Sequence, residues 1–298
     1  MGMSYQQLLE RLNGIEVAVL GAGQKMSQSR LGKYKRDIAR LADPAILAEL
    51  PRHFTPPEMK DLFFTVAEVF ELRTIFEALM PQHSAVLIPK LRELLSGPSS
   101  SADEVAHNKS AHARNVQFEL FLMAQLATCG FRVIDGTLTD VRFIHAGREF
   151  LMECKRPQAA TGIRSAVRAA VHQLLNQPRN RKTGSVKVVA LSLTKVLYEG
   201  TRLLRVYDER EAGRVVREGI EEQINGVLRY AHQCAGDGIA GIFAYASASV
   251  LRVSEAAPAN VMMQVFFNNP HASGDIASAT EEWWNAYEAA ERTEVGIL

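Results

Sequence analysis

The chain has 298 residues, 47% of them apolar and 22% charged; this is enough for one large core or two domains, and it reads as globular. A formal charge of +1 argues against nonspecific coating of nucleic acid, although a local basic cleft stays compatible with it. Three scattered cysteines, Cys129, Cys154 and Cys234, lack CxxC spacing, and no apolar run has the length of a membrane span or the form of a secretory leader, so a reduced, cytoplasmic setting away from membranes is expected.

Tyr5 to Leu12 has helical character and Ile15 to Leu20 reads as a short strand. Gly21-Ala22-Gly23 follows it, but a dinucleotide fingerprint needs a further glycine where Met26 stands and then an apolar second strand. The stretch after it is polar and basic, so a glycine-containing turn is the better reading. Thr55-Pro56-Pro57-Glu58 has the spacing of a capping box with proline in the first helical turn. Leu62, Phe63, Val66, Val69, Phe70, Leu72, Ile75, Phe76 and Leu79 then recur at helical spacing as far as Met80-Pro81. A second helix over Ser84 to Leu95, with Pro89 inside, ends at Gly97-Pro98-Ser99-Ser100-Ser101. Residues 1–100 form a mainly helical N-terminal region with a recognition, partner-binding or regulatory role, and residues 101–298 a second unit.

A helix beginning at Ala102 or Ser110 runs to Thr128 and closes at Cys129-Gly130. Glu119 falls within its apolar arc, either as a salt-bridged core acid or as a ligand delivered to the segment that follows. After a strand over Phe131 to Ile134 and a turn at Asp135-Gly136, the runs on either side of Ala146-Gly147 form a two-residue hairpin. That register sets His145 against Arg148, Phe143 against Phe150 and Asp140 against Glu153. Val141, Phe143, Phe150, Met152 and Cys154 share the core face, while Asp140, Arg142, Leu151, Glu153 and Lys155 share the other. Facing carboxylates repel unless a cation lies between them, and hard ions such as Mg²⁺ prefer oxygen ligands. The alternative is that these charges are the hairpin's solvated side.

The helix starting near Thr161 buries Ile163, Val167, Ala170, Val171 and Leu174. Arg164, Arg168 and His172 lie on or beside its polar side, either positioning phosphates or merely solvated. Arg179, Arg181 and Lys182 fall in the next loop. A buried strand over Lys187 to Val196, a helix over Ala212 to Cys234, strands over Gly241 to Leu251 and Val261 to Phe267, and a helix over Ser278 to Ala290 complete an α/β arrangement with a mixed sheet flanked by helices.

Asp140 with Glu153-Cys154-Lys155, preceded by Glu119 on a helix, resembles the PD-(D/E)xK, or restriction-endonuclease-like, nuclease superfamily. Its core of a helix, three strands, a helix and a strand is similar to Ser110 to about Val196. Gln173 matches the glutamine of the recombination-nuclease-like branches. Thr139 replaces the usual proline, and the tyrosine often paired with that glutamine has no counterpart in Leu174 to Gln177. The resemblance implies a metal-dependent nuclease hydrolysing phosphodiester bonds in DNA, in defence against foreign DNA or in repair and recombination. Asp140 and Glu153 would hold Mg²⁺, or Mn²⁺ in its place, with the Cys154 backbone carbonyl and a water touching Glu119. Lys155 would orient or deprotonate the attacking water or offset transition-state charge, and Gln173 would position water or substrate. Arg156, Arg164, Arg168, Arg179, Arg181 and Lys182 would meet nucleic acid, and a homodimer would suit cleavage of both strands. The alternatives are a noncatalytic nucleic-acid-binding or assembly protein of the same fold, and a partner-binding protein with a merely solvated hairpin.

Overall fold

The structure, a computed structural model, describes residues 4–21, 23, 30–98, 111–134, 139–176, 184–198, 205–252 and 257–295. Helix α1 (Tyr5–Gly21) buries Leu8, Leu12, Ile15 and Val19 along one line. The expected strand over Ile15 to Leu20 is therefore the second half of a helix: Ile15 and Val19 face the core, whereas Val17 and Leu20 point outward. The basic stretch after it holds α2 (Arg30–Ala42), whose Arg30, Leu31, Tyr34, Ile38 and Leu41 are buried. Short α3 (Pro44–Ala48) and α4 (Leu50–His53) lead to α5 (Pro56–Gln82). That helix starts at the expected cap: the Glu58 carboxylate accepts from the Thr55 backbone N–H and hydroxyl, each at 2.8 Å. Helix α6 (Ser84–Leu94) keeps Pro89 within it.

Helix α7 (His112–Thr128) ends at Gly130, which has φ +80°. Strand β1 (Arg132–Val133) pairs with β2 (Val141–His145), and β2 turns back into β3 (Arg148–Lys155) through Ala146 and Gly147, both at positive φ. Two such residues match the twist of a tight hairpin. The pairs His145 with Arg148 and Phe143 with Phe150 hold as expected, and the ladder's final pair at this end is Val141 with Met152. Asp140 lies one residue beyond it.

A short 3-10 turn (Ala160–Gly162) leads into α8 (Ile163–Asn176), which buries the five expected apolar residues. Strand β4 (Val186–Ser192) is shorter than expected. Its chain leaves the sheet where Leu193 N–H donates to the Tyr245 carbonyl at 2.7 Å, and α9 (Thr194–Tyr198) follows. Strand β5 (Arg205–Val206), two residues long, carries too little pattern to be read from sequence. Helix α10 (Glu209–Ala235), strands β6 (Gly241–Arg252) and β7 (Ala257–Asn268), and helix α11 (Gly274–Val295) complete the order.

The mixed sheet runs β1-β2-β3-β4-β6-β5, with β7 on the other edge of β6; β3, β4, β6 and β5 are parallel to one another, while β1-β2, β2-β3 and β6-β7 pair antiparallel. Parallel strands need both faces covered, and here each face has its own core. Val186, Val188 and Ala190 of β4 join Phe143, Phe150, Tyr245 and Trp283 in a cluster shared with α1, α2, α5, α6, α7 and α11. Val189 and Leu191 point the other way, joining Leu151 to α8 and α10. Each fully buried Leu, Val or Phe contributes roughly 1.5–3 kcal/mol, so both layers hold the hairpin in place. The supposed outer face of the hairpin is consequently covered: Leu151 is 2% and Glu153 3% exposed. Among the described residues, no helix is long and apolar enough to cross a membrane.

Candidate functional site

The hairpin brings Asp140, Glu153 and Lys155 together. Asp140 precedes β2, where its Oδ2 accepts the Cys154 backbone N–H at 2.8 Å. Lys155 Nζ lies 2.8 Å from Glu153 Oε1 and 4.0 Å from Asp140 Oδ2. Burial raises the Glu153 carboxyl above its ordinary range, the Asp140 charge raises it further, and Lys155 offsets only part of the effect. Burial also raises Glu119, as does the Asp140 charge, which places Glu119 within electrostatic reach of the hairpin. Glu119 is held by Lys90 of α6 at 3.2 Å, the salt-bridged alternative rather than a waiting ligand. Burial pushes the Cys154 thiol well up, with the Asp140, Glu119 and Glu153 charges acting in the same direction. A thiol so placed stays protonated and is no nucleophile.

This geometry corrects the metal expectation. Among the described residues, no group of three or more His, Cys, Asp or Glu side chains is arranged to hold a metal ion. The physical reason lies in the partners already present: a backbone N–H takes Asp140, Lys155 takes Glu153 and Lys90 takes Glu119. The expected Mg²⁺ or Mn²⁺ site, with Asp140, Glu153, the Cys154 carbonyl and Glu119 as its donors, does not fit these residues. With it go the metal-dependent deoxyribonuclease and the hydrolysis of phosphodiester bonds inferred from it.

The basic residues divide differently. Arg164, Arg168 and His172 are exposed at four-residue intervals on α8, a helix with no Asp or Glu. Gln173 is half-buried on the same helix. Arg156 follows β3 and lines a small cleft at the ends of β3 and β4, shared with Glu68, Glu71, Arg114, Gln117 and Ser192. Arg179, Arg181 and Lys182 lie outside the described residues, as do Asp135, Gly136 and the stretch 99–110.

The wall of that cleft holds a buried polar seam that sequence reasoning missed. Glu68 of α5 is bonded to Arg114 of α7, with Arg30 of α2 at 3.3 Å. Burial raises its carboxyl, but the Arg114 and Arg30 charges overturn this and hold it well below the carboxylate range. One turn on, Glu71 accepts from the Tyr245 hydroxyl at 2.8 Å and the Gln117 amide at 2.6 Å. Burial pushes it up to about 7, since neither donor carries a charge. In the sequence, Glu68 and Glu71 interrupt the apolar run of α5 at positions that a helix buries, which was the available signal. Tyr230 of α10 was also missed: the Arg164 guanidinium lies over its ring, 5.8 Å from the centroid.

No family model, curated protein or solved structure matches the chain.

Proposed function

We propose that this chain is a noncatalytic nucleic-acid-binding protein on a restriction-endonuclease-like layout. The succession α7, β1, β2, β3, α8 and β4 supports that layout, since it repeats the family's order of a helix, three strands, a helix and a strand. The observation that carries the binding reading is the exposed line of Arg164, Arg168 and His172 on an acid-free helix. Guanidinium groups spaced one helical turn apart suit successive phosphate oxygens, and their attraction is not cancelled by a carboxylate on the same helix. Asp140, Glu153 and Lys155 act here as an internally bonded cluster that fixes the end of β3 and hence the Arg156 backbone beside it.

Anisotropy of labelled DNA and RNA across a salt series tests the reading. The wild type is expected to bind, and the double change Arg164→Glu and Arg168→Glu should lower the log–log salt slope by roughly 2, about 0.9 for each phosphate no longer neutralised. Incubation with Mg²⁺ should leave linear, circular and single-stranded DNA intact. Mg²⁺-dependent cutting that disappears in Asp140→Ala would overturn the noncatalytic reading, and a wild type without affinity for any nucleic acid would overturn binding itself.

A further inference from the structure

We infer that Tyr230, flanked by Arg164 and Arg168, is a stacking platform that gives this surface a preference for single-stranded nucleic acid. The inference rests on the nucleic-acid reading but concerns a different helix and a different kind of contact. Helices α8 and α10 pack against the same face of the sheet, where Leu174, Val171, Ile220, Ile224 and Val227 share one apolar cluster. That packing sets the outward residues of the two helices side by side. Arg164 Nη2 donates to the Gly226 carbonyl at 3.4 Å while its guanidinium carbon lies 5.8 Å from the Tyr230 centroid, so it bridges from α8 to the ring. Arg168 lies close enough for its charge, like that of Arg164, to act on the Tyr230 phenol. Cys234, one turn further along, lies beside the Tyr230 hydroxyl.

Space beside the ring is provided by Gly226, one turn earlier on the same side of α10. It is exposed, and a Cβ built on it meets no other atom within 4 Å. A planar base that stacks on the half-exposed ring from this side takes the place of the Arg164 guanidinium, which is then free to meet the adjoining phosphate. The charge pattern selects the occupant. Arginine beside an aromatic face attracts a phosphate while the face takes a base, and single strands alone offer both, because duplex bases are already stacked on each other. Along α10 the nearest carboxylates before Tyr230 are Glu221 and Glu222, two turns away, so the platform itself is bordered by cations.

The test compares an oligothymidylate strand with a blunt duplex, each labelled, on the full chain and on Tyr230→Phe, Tyr230→Leu and Tyr230→Ala. Stacking of one base predicts a loss of roughly 5- to 100-fold for the strand in the Leu and Ala variants, retention in Phe, and little change for the duplex. Melting temperatures equal to wild type confirm that the variants are folded, and Tyr230→Leu keeps enough bulk to pack if Ala does not. Strand affinity unchanged in Tyr230→Leu overturns the platform while leaving duplex binding, and so the broader reading, intact. Loss of strand and duplex affinity in equal measure also overturns it. A wild type that binds neither probe instead removes the nucleic-acid reading.

Discussion

Glu68 and Glu71 sit one turn apart on α5, both more than nine-tenths buried, yet their carboxyls are displaced in opposite directions. Burial raises each; the difference lies in the donors. Two guanidinium groups surround Glu68, whereas Glu71 meets a phenol and an amide. The hairpin repeats the contrast at the end of β3, where Glu153 has one lysine but also the repulsion of Asp140. Depth alone therefore does not decide whether an internal acid is charged. The number and charge of the groups aimed at it do. In the seam, that choice joins the N-terminal helices to α7 and β6; at the hairpin, Lys155 and the Cys154 N–H occupy the carboxylates that would otherwise have needed an ion.

The strongest way to break the contrast is to remove the cation from Glu68. Arg114→Ala leaves that carboxylate buried with Arg30 and no bidentate partner, and the expected loss is about 3–5 kcal/mol of unfolding free energy. Urea unfolding at neutral pH measures it. A loss below about 1 kcal/mol would mean that Glu68 finds water or Arg30 sufficient, and the seam would then be of little consequence to the fold.

A pH series sharpens the same comparison without changing a residue. Glu71, ordinarily ionising at 4.5, ionises at about 7 in the fold. The unfolded chain thus gives up this proton first as pH rises, and stability from Glu71 falls between about 4.5 and 7 and levels off above, by roughly 3 kcal/mol. Glu68 has the opposite sign: its depressed value contributes stability above the ordinary carboxylate range, which is lost as pH falls below it. The two limbs place a maximum near pH 5. Melting temperature against pH should show the maximum, and Glu71→Gln, which cannot ionise, should flatten the limb above it whatever the substitution costs by itself. An unaltered limb in that variant would assign the slope to other groups.

Much of this was legible in the sequence because it repeats at short range. The Ala146-Gly147 turn, the capping box at Thr55 and the buried line of α8 each rest on spacings of two to four residues. Ile15 to Leu20 failed for the reverse reason: a short, mostly apolar run hides which face is buried, and only Leu8 and Leu12 upstream resolve it as a helix. The hairpin face failed at longer range. Alternation correctly placed Leu151 and Glu153 together, but α8, which covers Leu151, is supplied by a later segment. Likewise, nothing local to Glu119 reveals that Lys90, twenty-nine residues earlier, will hold it.

The smallest effect concerns that hairpin. Lys155→Met removes the cation 2.8 Å from Glu153 while keeping most of the side chain's bulk. With the lysine gone, burial and Asp140 act on Glu153 unopposed, so its carboxyl rises further and the residue takes up a proton rather than remaining charged. The stability lost should be about 1–2 kcal/mol at pH 8, where the wild-type pair is ionised, and less at pH 5, where Glu153 is neutral in both proteins. Paired unfolding curves at the two values isolate this difference from any packing cost of methionine, which is the same at both. An equal loss at pH 5 and pH 8 would show that Lys155 supports the strand end through its stem rather than its charge. The hairpin would then differ from the seam in kind as well as in degree.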